Sequence, residues 1–115
     1  MTEHEPESEY SSEFPPVPED EFCVFGVVYC KPEFADDLEK MYAQMTKDAE
    51  SEPGTLYYAI GRDSEDRTKF HFFERYAGRA AFEAHISQPA TEKIMAGKWF
   101  QHVKAKFVKA IPAVK

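Results

Sequence analysis

Two neighbouring segments, TLYYAIGR at residues 55–62 and TKFHFFERY at 68–76, are rich in aromatic and β-branched residues, with the turn DSED between them. Runs of this kind joined by a short polar turn read as an antiparallel hairpin. Alternate side chains of a strand point to opposite faces. Leu56, Tyr58 and Ile60 therefore share one side of the first strand, and Tyr57 and Ala59 the other. On the second strand Phe70, Phe72, Glu74 and Tyr76 oppose His71 and Phe73. Neither side is plainly polar. An antiparallel sheet with one wetted face alternates cleanly, so both faces of this sheet are expected to be covered.

The remaining elements set what can cover them. FCVFGVVYC at 22–30 reads as the opening strand, with Gly26 either leaving space under a helix or marking a bulge. Pro32 suits a first helical turn. Phe34, Leu38, Met41, Tyr42, Met45 and Ala49 then recur at helical spacing until Glu52-Pro53-Gly54 stops the run. A second helix is expected from about Arg79 to Ser87, a short helical piece over Thr91 to Ala96, and a last strand, HVKAKFVKAI, at 102–111. The order β-α-β-β-α-β places the chain in the α+β class with a ferredoxin-like arrangement. Its helices can cover one face of the sheet and nothing in the chain is left for the other. A second copy packing sheet against sheet, as an isologous homodimer, supplies the missing cover.

Residues 1–20 are rich in Glu, Ser and Pro without hydrophobic period, and read as a mobile or extended acidic arm before a single domain over 21–115. FPPVP within the arm can also dock as a polyproline stretch. Eight of the 21 acidic side chains fall in the first 21 residues, so the net charge of −7 is local and the domain is close to neutral. Lys and Arg are scattered, which excludes a basic nucleic-acid footprint. No stretch approaches the roughly 20 apolar residues of a membrane span, and the start lacks the pattern of a secretory signal. A soluble, cytoplasmic protein is expected. Cys23 and Cys30, seven apart on one strand, point to opposite faces and are expected as buried free thiols. The cysteines and histidines lack the paired spacing of metal ligands, so no metal is expected.

Three segments in succession, EPGTLYYAIGRD, KFHFFERY and RAAFEAHISQP, resemble the antibiotic biosynthesis monooxygenase domain of the dimeric α+β barrel superfamily. The family pattern falls on Glu52-Pro53-Gly54, on Phe73-Glu74-Arg75-Tyr76, and on Ala84-His85 with Ser87 and Pro89. The match covers roughly residues 22–112. It implies a ferredoxin-like protomer, a dimer whose sheets form a barrel, and a pocket between each sheet and its own helices. It also implies oxygenation of phenols, quinols or polyketide anthrones without flavin, haem or metal, although relatives include haem degraders and isomerases. The chain contains no asparagine, on which some relatives rely, and reads ATEKIMAG where haem degraders place a ligand histidine. Haem degradation is therefore disfavoured.

Oxygenation without a cofactor requires a base and a dry aromatic cavity in which an electron-rich anion meets molecular oxygen. Imidazole titrates near neutral pH, and Phe82, His85 and Ile86 at i, i+3 and i+4 turn His85 toward the sheet. Glu74 lies on the helix-facing side of its strand. The catalytic residues expected are thus His85 as proton acceptor and Glu74 as the carboxylate that orients it. Tyr58, Phe72, Tyr76, Met41 and Trp99 are the expected walls for a small aromatic or lipid-like substrate. His71 is assigned to the dimer face, His102 to an exposed strand start and His4 to the arm. An isomerase or cyclase using the same His and Glu without oxygen, and a non-catalytic ligand-binding dimer, remain the alternatives.

Overall fold

A computed structural model describes residues 16–114 of the protein. The elements run β1 (Phe22–Cys30), a 3-10 turn (Pro32–Phe34), α1 (Ala35–Ala49), β2 (Thr55–Arg62), β3 (Lys69–Tyr76), α2 (Arg79–Ile86), α3 (Pro89–Ala96) and β4 (Phe100–Lys109). The four strands form one sheet in the order β2-β3-β1-β4, with every neighbouring pair antiparallel. This is the expected α+β, ferredoxin-like arrangement. Its two central strands, β1 and β3, carry the most apolar inner faces. The short helical piece is a full α3 that begins two residues earlier than expected, because Pro89 preorganises its first turn.

One face of the sheet is packed by the helices. Phe22, Val24, Val28 and Cys30 of β1 and Phe70, Phe72 and Tyr76 of β3 are buried there beside Leu38, Met45, Phe82 and Ile94. Arg62 locks α1 to β2 by reaching Asp36 at 3.0 Å and Glu39 at 2.7 Å. The strand alternation holds except at two slips in register, between Thr55 and Tyr57 and between Tyr29 and Cys30. The first corrects the expected placement of Leu56 beside Tyr58. Leu56 is the extra residue of a bulge and is exposed, as is Tyr57.

Gly26 neither opens a void nor marks a bulge. It pairs regularly with Phe72 and Ala105. A Cβ at this position would lie 1.9 Å from the carbonyl oxygen of Lys104 and 2.9 Å from Cζ of Phe72. The missing side chain is what lets the β4 backbone and the Phe72 ring close over β1.

The opposite face has no helix among the described residues. Phe25 and Phe73 are 38% and 57% exposed there and stack at 6.2 Å with an interplanar angle of 17°. Cys23 is half-buried rather than buried as expected, Cys30 is buried, and both are free thiols. The His71 Nε2–H donates to Asp63 Oδ1 at 2.8 Å, and His102 stacks on Tyr29 at 4.3 Å. Most of the acidic arm, including His4, lies outside the described residues. The part that is described docks: Val17 packs against the core, and the Arg79 guanidinium donates to the Val17 carbonyl at 2.8 and 2.9 Å.

Candidate active site

The turn after α1 and the start of α2 are brought together by a second close approach. A Cβ on Gly54 would lie 2.4 Å from Cβ of Ala81, and the Ala77 amide donates to the Gly54 carbonyl at 2.9 Å. With glycine in place, α2 seats directly on the turn that precedes β2. Helical spacing then buries Phe82 and His85 against the sheet, His85 at 4% exposure.

This seating hands His85 to Glu52. The two groups meet Nδ1 to Oε1 at 2.9 Å, and Glu52 also accepts from the Thr55 hydroxyl at 2.6 Å and from the Gln88 amide. Burial by itself would raise the Glu52 carboxyl. The three donors outweigh it and hold the group below its usual range. An ionised carboxylate can only accept, so Nδ1 of His85 carries a proton and Nε2 is the ring nitrogen left free of Glu52.

The expected partner, Glu74, occupies another place. The Tyr76 hydroxyl donates to Glu74 Oε1 at 2.6 Å, and no hydrogen bond joins Glu74 to His85. Period-two alternation aims Glu74 at the helix side as anticipated, but Glu52 reaches Nδ1 from the turn. Burial raises the Glu74 carboxyl to about 7; the Tyr76 bond lowers it in part, and the charge of Glu52 adds to the rise. At neutral pH this carboxyl is divided between its two forms.

His85 and Glu74 both face a cavity of about 210 Å³ between the sheet and all three helices. Val24, Val28 and Phe72 floor it, Tyr42 and Met45 come from α1, and Phe82 and Ile86 from α2. Ile94 and Met95 of α3 and Phe100 and Val103 of β4 close the far end. The wall is mostly apolar, as small-molecule sites usually are. Tyr58 leans on the His85 ring at 4.9 Å, and burial, with the charge of Glu74, pushes its hydroxyl well above the usual phenol range. It stays a neutral donor. The Thr91 hydroxyl on the same wall is buried with no hydrogen-bond partner among the described residues.

Of the expected walls, Tyr58 and Phe72 line the cavity and three others do not. Tyr76 is fully buried, wedged between Phe22, Phe82 and His85, with its ring 5.6 Å from the imidazole. Trp99 stacks on Phe34 at 5.2 Å, and Met41 packs on the core away from the cavity. The most consequential omission was Glu52. Its signal is the Glu-Pro-Gly triplet itself, which the sequence marks as a helix stop and as part of the family pattern, and which sets an acid just before a turn. No group of three or more His, Cys, Asp or Glu side chains among the described residues is placed to hold a metal ion.

Residues 22–97 match the family model described as antibiotic biosynthesis monooxygenase. The structure superposes on that of PA3566 from Pseudomonas aeruginosa with a TM-score of 0.70, covering 81% of this chain and 96% of that one at 21% identity. Rv0793 from Mycobacterium tuberculosis gives a TM-score of 0.67 over 84% and 100% of the two chains at 19% identity. Both likenesses speak to the fold. An uncharacterised protein of Synechocystis, sll1783, is 28% identical over 71 residues; these span 62% of this chain and about half (48%) of that protein.

Proposed function

The chain belongs to the antibiotic biosynthesis monooxygenase family, and from that membership we propose that it is a cofactor-independent monooxygenase acting on a small aromatic, quinol-like or lipid-like substrate. The observation that carries this reading is the part-buried Glu52–His85 hydrogen bond at the wall of an apolar cavity. Glu52 fixes the tautomer and stabilises the imidazolium, so Nε2 of His85 accepts the proton of a phenol or an activated methylene. The resulting anion is electron-rich and meets oxygen where water is scarce. The substrate supplies all four electrons needed: one oxygen atom becomes its new carbonyl, and the other leaves as water with two substrate hydrogens, both from carbon for a methylene, or one from O–H and one from C–H for a phenol. Glu74, with a carboxyl near neutrality, returns a proton to the departing oxygen.

In this reading residues 21–115 carry the activity, with the acidic arm of 1–20 outside it. A second copy covers the Phe25 and Phe73 face as a homodimer, and the free thiols suit the reducing cytoplasm. An isomerase or cyclase would draw on the same proton-transfer pair. Oxygen dependence decides: turnover of a quinol or anthrone must stop under anaerobic conditions, whereas an isomerase continues.

A further inference from the structure

Four walls of the cavity, Ile94, Met95, Phe100 and Val103, also wall a second cleft of about 270 Å³, whose other side is Lys31, Lys98, Gln101 and His102. Met95, 57% exposed, stands on the partition between the two. The apolar chamber therefore adjoins a cleft rimmed by cations. Among the described residues neither lysine has a carboxylate partner at ion-pair distance.

The backbone at Lys98 is an independent sign. Helix α3 ends in a Schellman motif: the Trp99 amide reaches the Ile94 carbonyl at 3.2 Å and the Lys98 amide reaches Met95 at 3.1 Å. The residue after the cap in this motif adopts the left-handed conformation and is usually glycine. Here it is Lys98, at φ 55°, the one non-glycine residue with positive φ among those described. Gly97, one position earlier, has an ordinary negative φ and is required for another reason, since a Cβ there would strike Nε1 of Trp99 at 2.6 Å. A lysine thus occupies the position that glycine would fill with less strain, and its side chain lines the cleft.

We infer that the cleft between α3 and β4 is a headgroup site, and that the substrate is an amphiphile whose apolar body lies in the His85 chamber and whose carboxylate lies between Lys31 and Lys98. The inference rests on the reading of that chamber as the substrate site. Met95 is flexible and can move to let one molecule span both spaces. Gln101 and His102 offer the carboxylate additional hydrogen-bond donors.

Calorimetric titration of the full-length protein at low salt tests this with two pairs of probes, 6-hydroxy-2-naphthoate against 2-naphthol and dodecanoate against dodecan-1-ol. The wild type binds the anionic member of at least one pair about ten-fold or more tightly than its neutral partner, and K31M/K98G lowers that ratio to near one without weakening the neutral probe. K98G alone melts no lower than the wild type, because glycine relieves the left-handed backbone; this separates headgroup binding from folding. Equal affinities within both pairs in the wild type, a preference that survives K31M/K98G, or binding of none of the four probes overturns the inference. Carboxylate preference without oxygen uptake would remove the oxygenase reading and leave the headgroup site standing. Oxygen uptake on 2-naphthol without carboxylate preference would do the reverse.

Discussion

His85 and Glu52 are 33 residues apart in sequence and 2.9 Å apart at Nδ1 and Oε1. The contact exists because Gly54 lets α2 rest on the turn before β2. It puts a carboxylate of the turn at Nδ1 of His85 and leaves the strand carboxylate, Glu74, with the Tyr76 hydroxyl.

Replacing Glu52 by Gln removes the fixed negative charge that selects the Nδ1–H tautomer of His85. On the proposed activity, the E52Q variant is expected to lose about 100-fold or more in kcat with KM changed little, by analogy with the general loss when a histidine's orienting carboxylate is neutralised. Steady-state kinetics on the same substrate would show it. A loss confined to KM would mean that Glu52 only shapes the cavity.

Glu74 makes stability depend on pH in a direction opposite to most carboxylates. Its folded value of about 7 lies above the ordinary value of 4.5, so the folded state holds the proton more tightly and this group's contribution falls as pH rises from 4.5 through 7. The full difference corresponds to about 3 kcal/mol. Denaturant unfolding at pH 5 and pH 8 should find E74Q gaining on the wild type at the higher pH. Parallel curves at both values would show that Glu74 is ionised at ordinary cost.

The Phe25–Phe73 stack on the uncovered face leads to a test of assembly. F73D would set an unpaired charge, repeated by symmetry, into the proposed sheet-to-sheet interface, a loss of several kcal/mol. Light scattering after size exclusion should give a dimer for the wild type and a monomer for F73D. A monomeric wild type would leave the aromatic face without its proposed cover.

Gly26 should tolerate no side chain, since a Cβ would meet a main-chain carbonyl at 1.9 Å that cannot swing aside. G26A is expected to be destabilised by about 3 kcal/mol, at the upper end of overpacking costs. Thermal unfolding within a degree or two of wild type would contradict the close approach of β4 over β1.

The strands and helices were readable because each buries one face, and burial leaves a period in the sequence: Phe70, Phe72 and Tyr76 at spacing two, Leu38 and Met45 at helical spacing. His85 was readable for the same reason, as an ionisable group on an apolar stripe. Its partner was not. Glu52 belongs to a turn with no period, and its meeting with α2 depends on a missing side chain at Gly54 and on where Ala81 lies in space. The cavity walls were legible only in part, because aromatic residues look alike in sequence whether they fill the core, as Tyr76 and Trp99 do, or face a void, as Tyr58 and Phe72 do. The bulge at Leu56 is likewise invisible to strict alternation.

The most direct measurement is oxygen uptake by the wild type and by H85Q in the presence of an anthrone or quinol substrate. With His85 as the base, wild-type uptake tracks product one to one, stops without oxygen and needs no added cofactor, while H85Q stays folded and falls by about 100-fold or more. Near-normal uptake by a folded H85Q, or product formation that continues without oxygen, would contradict the account.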